Sequence, residues 1–194
     1  MSEPTRADAW ALLCEWTESD SLRKHALAVE ASMRLYAGVW GEDEERYGIT
    51  GLLHDLDYER FPDLETGHPR MGMAELEKQG YSQDIVDAVA GHAPYLGVPR
   101  DTQMARTLYA VDELSGFVWA CALIRPTGIE GMKVKSVRKK LKTPAFAAKV
   151  DRSQIEEGMA ELEVDETEHI QRVIDALSGE AEALGLTAQQ VGGD

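Results

Sequence analysis

Cysteine is nearly missing from this chain. Cys14 and Cys121 are the only two in 194 residues, far apart and in no Cys-x-x-Cys pair. That excludes a disulfide framework and a thiolate metal cluster, and both thiols, set among apolar helical residues, are expected to be buried and reduced. Long apolar runs are missing too. The longest, Phe117 to Ile124, has eight residues, against the roughly 20 that a membrane-spanning helix needs. The opening Met-Ser-Glu-Pro-Thr-Arg-Ala-Asp holds acids where a secretory signal needs bases followed by an apolar stretch, so a cytoplasmic protein with no membrane partner is expected. Positive charge is scarce, with 20 Lys and Arg against 35 Asp and Glu, a net charge of −15. Nucleic-acid affinity comes largely from cations meeting phosphates, so a duplex is not an expected partner. Nor is there a sustained alternation of apolar and polar residues, an internal repeat or a low-complexity segment, and no strand is predicted.

What the chain has is helical periodicity, in a length that suits one domain with a core of its own. Trp10, Leu13, Cys14 and Thr17 recur at helical spacing after Pro4-Thr5. Asp20 and Ser21 are placed to cap a long second helix to about Trp40, with Leu22, Ala26, Val29, Met33 and Tyr36 on one face and Gly41 as its end. A third helix is predicted from about Glu42, its first turn rich in acids that suit a helix N-terminus, running into Leu52-Leu53-His54-Asp55. An irregular loop, Phe61 to Gly67, precedes a helix opened by Pro69 and closed near Gly80. Ser82 is positioned to cap a fifth helix that carries His92 near its end, and Pro94 stops it. Asp101-Thr102 starts a sixth, predicted to reach about Ile124, with Asp112 in its middle. A short basic amphipathic helix around Val134, Val137 and Leu141 and one or two further helices from Ser153 complete an all-α architecture. The tail from Gly192 to Asp194 is expected to fray.

Five histidines are present, and four of them, His25, His54, His68 and His92, fall at ends or early turns of separate predicted helices. With Asp55 and Asp112 they make six candidate ligands. Imidazole nitrogen and carboxylate oxygen together suit divalent zinc, iron or manganese, and helical bundles build metal sites by aiming single side chains inward from different helices. Any one of these histidines alone is more simply a surface or hydrogen-bonded residue. The fifth, His169, lies between acidic residues, Glu166 and Glu168, and is expected to be solvated.

The ordered set His25 … His54-Asp55 … Asp112 resembles the HD superfamily of metal-dependent phosphohydrolases, an all-helical fold named for its adjacent His-Asp pair. The resemblance covers about residues 20–125, taken as the HD core. The strings LLHDLDYE, GHPRMG, GHAPYLGVPR and AVDELSGFVWACALIRP resemble more narrowly one bacterial group of predicted HD hydrolases. In that group the similarity continues through a C-terminal helical extension, about residues 129–185. The resemblance implies that His25, His54, Asp55 and Asp112 hold a first divalent ion. It implies also that Asp55 bridges to a second ion held by His68 and His92. The branch that cleaves cyclic dinucleotides has a small residue, a glycine and a lysine after its His-Asp pair; here Leu56, Asp57 and Tyr58 stand there, so that activity is not expected.

A divalent ion lowers the pKa of a bound water from 15.7 to about 7, and a pair of ions about 3.5–4 Å apart can clamp a phosphoryl group. The expected activity is therefore hydrolysis of a small phosphorylated metabolite or nucleotide, with Asp55 as the catalytic centre of the ligand set. Asp57 and Glu113 are candidates for orienting histidine N–H groups, with solvated helix-end carboxylates as the equal alternative. The segment Arg125 to Lys149 holds eight of the 20 basic residues and one acid, Glu130. Most of a charge run is a solvated face; Lys133 and Lys135, flanking the start of the basic helix, are the candidates for a substrate anion. Two other readings share these residues: a di-iron HD-type oxygenase acting on a small anionic substrate, and a non-catalytic HD signalling module.

Overall fold

The computed structural model describes residues 3–192, so of the expected frayed tail Gly193 and Asp194 lie outside the described residues. Ten α-helices and one short 3-10 turn are present, and no strand is found among the described residues. The helices are α1 (Arg6–Trp16), α2 (Asp20–Trp40), α3 (Glu44–Leu53), α4 (Arg70–Gln79), α5 (Gln83–His92), α6 (Gln103–Leu123), α7 (Val134–Leu141), α8 (Arg152–Leu162), α9 (Glu166–Gly179) and α10 (Ala188–Val191).

Local chemistry accounts for most of the boundaries. Thr5 and Asp8 form a reciprocal capping box at α1. Ser19, one residue before the predicted cap, closes the N-terminus of α2, and Gly41 ends that helix in the left-handed conformation at φ 72°. Thr102 accepts from Ala105 N at the start of α6. The third helix stops at Leu53, earlier than its periodicity suggests. Over residues 54–60 the chain winds on in tight turns, in which Leu56 N donates to Leu53 O (3.2 Å) and Tyr58 N to Asp55 O (3.1 Å).

Two long helices, α2 and α6, form the spine, and each faces two apolar clusters. One cluster joins α1, α3, α4 and α5 to Val29, Met33 and Tyr36 of α2 and to Leu108 and Val111 of α6. The other joins Leu114, Phe117, Val118 and Cys121 of α6 to Val137, Ile155 and the Ile170, Val173, Ile174 and Leu177 face of α9. Cys121 is buried, and burial pushes its thiol up to about 12. Cys14 is only half-buried, because the inward face of α1 is Ala9, Leu12 and Leu13. Two of the expected inward residues, Trp10 and Cys14, stand at its edge.

His169 departs further from expectation. It is fully buried, not solvated. Its Nε2 donates to the carbonyl of Ala110 at 3.0 Å, and its Nδ1 accepts from the Tyr36 hydroxyl, tying α9 to both spine helices. The flanking Glu166 and Glu168 face outward, while His169 shares the inward stripe with Val173 and Leu177, four and eight residues on. Burial, aided by the charge of Arg172, lowers its pKa to about 4 against the opposing hydrogen bond to Ala110, so the imidazole is neutral.

Candidate metal centre

Five parts of the chain deliver six side chains to one point: His25 from the second turn of α2, His54 and Asp55 from the turn after α3, His68 from just before α4, His92 from the last position of α5 and Asp112 from the middle of α6. His54, His68, His92 and Asp112 are buried, and His25 and Asp55 half-buried.

Helix ends orient two of the rings. The last carbonyls of a helix lack an intrahelical donor. His54 Nδ1 donates to such a carbonyl, Gly51 O, at 2.8 Å, and His92 Nδ1 to another, Val89 O, each three residues back. Because a carbonyl only accepts, each Nδ1 carries the proton and each Nε2 lone pair faces away from its helix. His68 is held by a side chain: its Nδ1 donates to Asp57 Oδ1 at 2.7 Å. The other Asp57 oxygen accepts Gly72 N at 2.6 Å, in the first turn of α4 where a negative charge is favoured. Asp57 is fully buried, and a Cβ on Gly72 would lie 3.2 Å from its carboxyl carbon, so glycine permits this approach.

The inward-facing atoms form two groups that share Asp55. Oδ2 lies 3.8 Å from His25 Nε2 and 3.5 Å from His54 Nε2. Oδ1 lies 3.5 Å from both His68 Nε2 and His92 Nε2. Asp112 Oδ1 joins the first group, 3.1 Å from His25 Nε2 and 3.3 Å from His54 Nε2. Within each group the two Nε2 atoms are 3.3 Å apart.

These spacings test whether the residues fit a metal. Donors about 2.1 Å from one ion, at octahedral or tetrahedral angles, lie roughly 3.0–3.4 Å from each other. The observed separations fall in that range or a few tenths of an ångström above it. Lone pairs of neutral imidazoles 3.3 Å apart also repel unless a cation or a proton lies between them. The protein's own charges point the same way. Burial opposes charge on His54, but the Asp55 and Asp112 carboxylates outweigh it and raise the imidazolium to about 10. Burial alone would raise Asp55 and Asp112, whereas the facing imidazoles, His54 foremost, hold both well below the usual carboxylate range. This is a site built to hold positive charge, and its donor set fits divalent metal.

Five of the six candidate ligands, all but the buried His54, form part of the wall of a cavity of about 430 Å³. Tyr58, Leu64 and Tyr95 contribute to it from the segments after α3 and α5, and Glu113, Lys149 and Gln154 from α6 to α8. The lining includes neither Lys133 nor Lys135; both are exposed at the start of α7. Glu113 orients no histidine. It accepts the backbone N–H of Asp151 at 3.2 Å, and burial together with neighbouring Asp112 pushes it up to about 7. Lys149 was hidden in the sequence because its loop has no helical period that could show which way one lysine among eight basic residues faces.

The profile of the HD domain matches residues 22–116. Ribonuclease Y of Oleidesulfovibrio alaskensis is 34% identical over 98 residues, which are 50% of this chain and 18% of that protein. Ribonuclease Y of Thermus thermophilus is 32% identical over 88 residues, 45% of this chain and 14% of the relative. The chain thus spans less than a fifth of the length of these relatives. No solved structure gives a significant match. With the ordered His and Asp cluster delivered by five parts of the chain, and residues 22–116 matching its defining domain, the chain belongs to the HD superfamily.

Proposed function

We propose that the protein is a metal-dependent phosphohydrolase acting on a small phosphorylated metabolite or nucleotide, with two divalent ions of iron, manganese or zinc in the His–Asp cluster. The observation that carries this reading is Asp55, whose two oxygens face two separate imidazole pairs inside one cavity. His25, His54, Asp55 and Asp112 would hold one ion, and His68, His92 and Asp55 the other. When bound, such ions supply water at a lowered pKa and neutralise charge on phosphoryl oxygens. The protein's own contribution is orientation. The carbonyls of Gly51 and Val89 and the carboxylate of Asp57 keep the Nδ1 protons in place, so three Nε2 lone pairs stay aimed at the cluster.

The relatives are named as ribonucleases, and a ribonuclease breaks phosphodiesters, which favours phosphoester chemistry over oxidation. The net charge of −15 and a cavity of about 430 Å³ favour a small anion over a nucleic-acid duplex. Among the described residues no helix is long and apolar enough to cross a membrane; we place the protein in the cytoplasm, where its two free cysteines would stay reduced.

The test is metal analysis of protein purified without chelator, followed by hydrolysis of a panel of phosphomonoesters, read as phosphate release, and phosphodiesters, read as release of the phosphomonoester, by Mn(II)-, Fe(II)- and Zn(II)-loaded samples. Hydrolysis that disappears in Asp55→Ala, with helical content intact, is the expected result. Dioxygen consumption by the iron-loaded protein, with an oxidised carbon product and no ester hydrolysis, would replace hydrolysis with oxygenase chemistry. Turnover by Asp55→Ala at the native rate would remove the cluster from the mechanism.

A further inference from the structure

The loop between α7 and α8 lies beyond the residues that match the HD domain, yet it supplies part of the cavity wall. One side chain makes most of the ties that hold it. Arg152, the first residue of α8, reaches back and donates to five backbone carbonyls: Leu141 at 3.1 Å, Thr143 at 3.3 Å, Phe146 at 2.6 Å, Ala147 at 3.4 Å and Val150 at 3.1 Å. Its guanidinium carbon also lies 5.3 Å from the centre of the Phe117 ring. A guanidinium has five N–H bonds in a fixed fork, so this arginine is engaged with the loop and is unavailable to a ligand. A second tie, Asp151 N–H to Glu113, fastens the same loop beside Asp112.

What this anchoring presents to the cavity is Lys149. It is the one Lys or Arg in the cavity lining, and it makes no ion pair among the described residues. Other bases of the segment are engaged elsewhere. Arg138 pairs with Glu166, Arg125 donates to the carbonyls of Gly128 and Glu130, and Lys140 sits 4.7 Å from the centre of the Phe146 ring. Lys133 and Lys135 do not line the cavity.

We propose that Lys149 binds the anionic group of the ligand that enters this cavity, and that Arg152 is the positioning residue that fixes Lys149 there. This rests on the cavity being the substrate site, as proposed above. The ligand class is a small molecule carrying a phosphate, phosphonate or carboxylate that an ammonium can meet.

The test is calorimetric titration of inorganic phosphate into the Mn(II)-loaded protein, with Mn(II) affinity measured alongside. Lys149→Ala should weaken phosphate binding by about tenfold or more, the scale of a lost charge-assisted hydrogen bond, with Mn(II) affinity unchanged. Lys149→Arg should retain most of the binding, and a Lys133→Ala, Lys135→Ala double variant all of it. Arg152→Ala should weaken phosphate to a similar degree, and Lys149→Ala combined with Arg152→Ala should be no weaker than Lys149→Ala alone. A purely structural role for Arg152 gives additive losses instead. Undiminished phosphate affinity in Lys149→Ala, or no phosphate binding by the native protein, overturns the proposal. If phosphate binds through Lys149 but no phosphoester is cleaved, the anion site stands and the phosphohydrolase reading falls; if esters are cleaved with the same KM by Lys149→Ala, the reverse holds.

Discussion

His68 faces two carboxylates with its two nitrogens, Asp57 at Nδ1 and Asp55 at Nε2. The first sets the proton and the second faces the cluster, so on the proposed two-ion reading Asp57 would act on metal affinity through His68, without being placed among the ligands. Asp57→Asn offers one carbonyl oxygen where the carboxylate serves both His68 Nδ1 and Gly72 N. Metal affinity is expected to fall by about 10- to 100-fold, the usual effect of losing such a partner; competition against a chelating dye measures it, and an unchanged affinity would return Asp57 to a purely structural role. His169 shows the opposite case, a histidine the protein keeps neutral. Its pKa falls from 6.5 in the unfolded chain to about 4 in the fold, so the unfolded chain takes up the proton first. Its contribution is fully present above pH 6.5 and is lost as pH falls towards 4, with a ceiling of roughly 3 kcal/mol. Denaturant melts of chelated native protein and chelated His169→Gln between pH 7.5 and 4.5 should show the gap between the two narrowing as pH falls. A constant gap contradicts this. His169 also marks a limit of the reading from sequence. Acidic neighbours suggested solvent, while the four-residue step to Val173 carried the inward signal, and for a polar residue that step is easily overlooked.

At the scale of elements, the site depends on how closely α3 lies on α2. Gly51 sits where a Cβ would come 2.9 Å from Met33 Cγ and 3.0 Å from backbone atoms of Glu30 and Val29. The helices touch backbone to backbone there, and the carbonyl of the same glycine holds His54. Gly51→Ala must part α2 from α3, at a cost of about 1–3 kcal/mol, which for a chain of this size lowers Tm by roughly 2–4 °C per kcal/mol. Because His54 moves with Gly51 and His25 with α2, metal affinity should fall as well. A variant that melts lower yet binds metal at native strength would show that the ligands do not depend on this contact. The helices themselves were legible from period and caps: Gly41, Gly80 and Thr102 mark ends that the structure keeps. The turn after α3 was not, because periodicity detects a chain that keeps rotating. It is blind to hydrogen bonds that change from the fourth residue back to the third, as they do at Leu56 and Tyr58. The short α10 was missed for want of an apolar stripe, since none of its residues is buried.

For the molecule as a whole, the candidate ligands are the polar counterpart of the apolar core. His25, His54, Asp55, His68, His92 and Asp112 come from segments that otherwise meet through the first apolar cluster, and α2 and α6 link it to the second. This convergence was foreshadowed by the sequence as an ordered series of His and Asp on separate helical segments, whereas the cavity wall from the C-terminal extension was not, because Lys149 and Gln154 belong to no comparable pattern. A ligand that binds the folded state and not the unfolded one stabilises it by RT ln(1 + [L]/Kd), about 2.7 kcal/mol at 100 times Kd. At roughly 2–4 °C per kcal/mol, one saturated site is worth about 5–10 °C in Tm, and two sites more. Chelation should therefore lower Tm by at least that amount, and restoring Mn(II) should recover it. The two histidine pairs then separate. If Asp55 serves two ions, His68→Ala and His92→Ala should each lower the metal content from about two ions per chain towards one and keep part of the chelation-sensitive shift in Tm. Asp55→Ala should lose nearly all of it. His169 is unsuitable as the unreactive reference, since it is buried against Tyr36 and Ala110, and the exposed Lys133→Ala takes that place. One ion per chain in unchelated protein, with metal content and the chelation shift untouched by His68→Ala and His92→Ala, would leave a single ion held by His25, His54, Asp55 and Asp112, and would reduce the second imidazole pair to a structural contact.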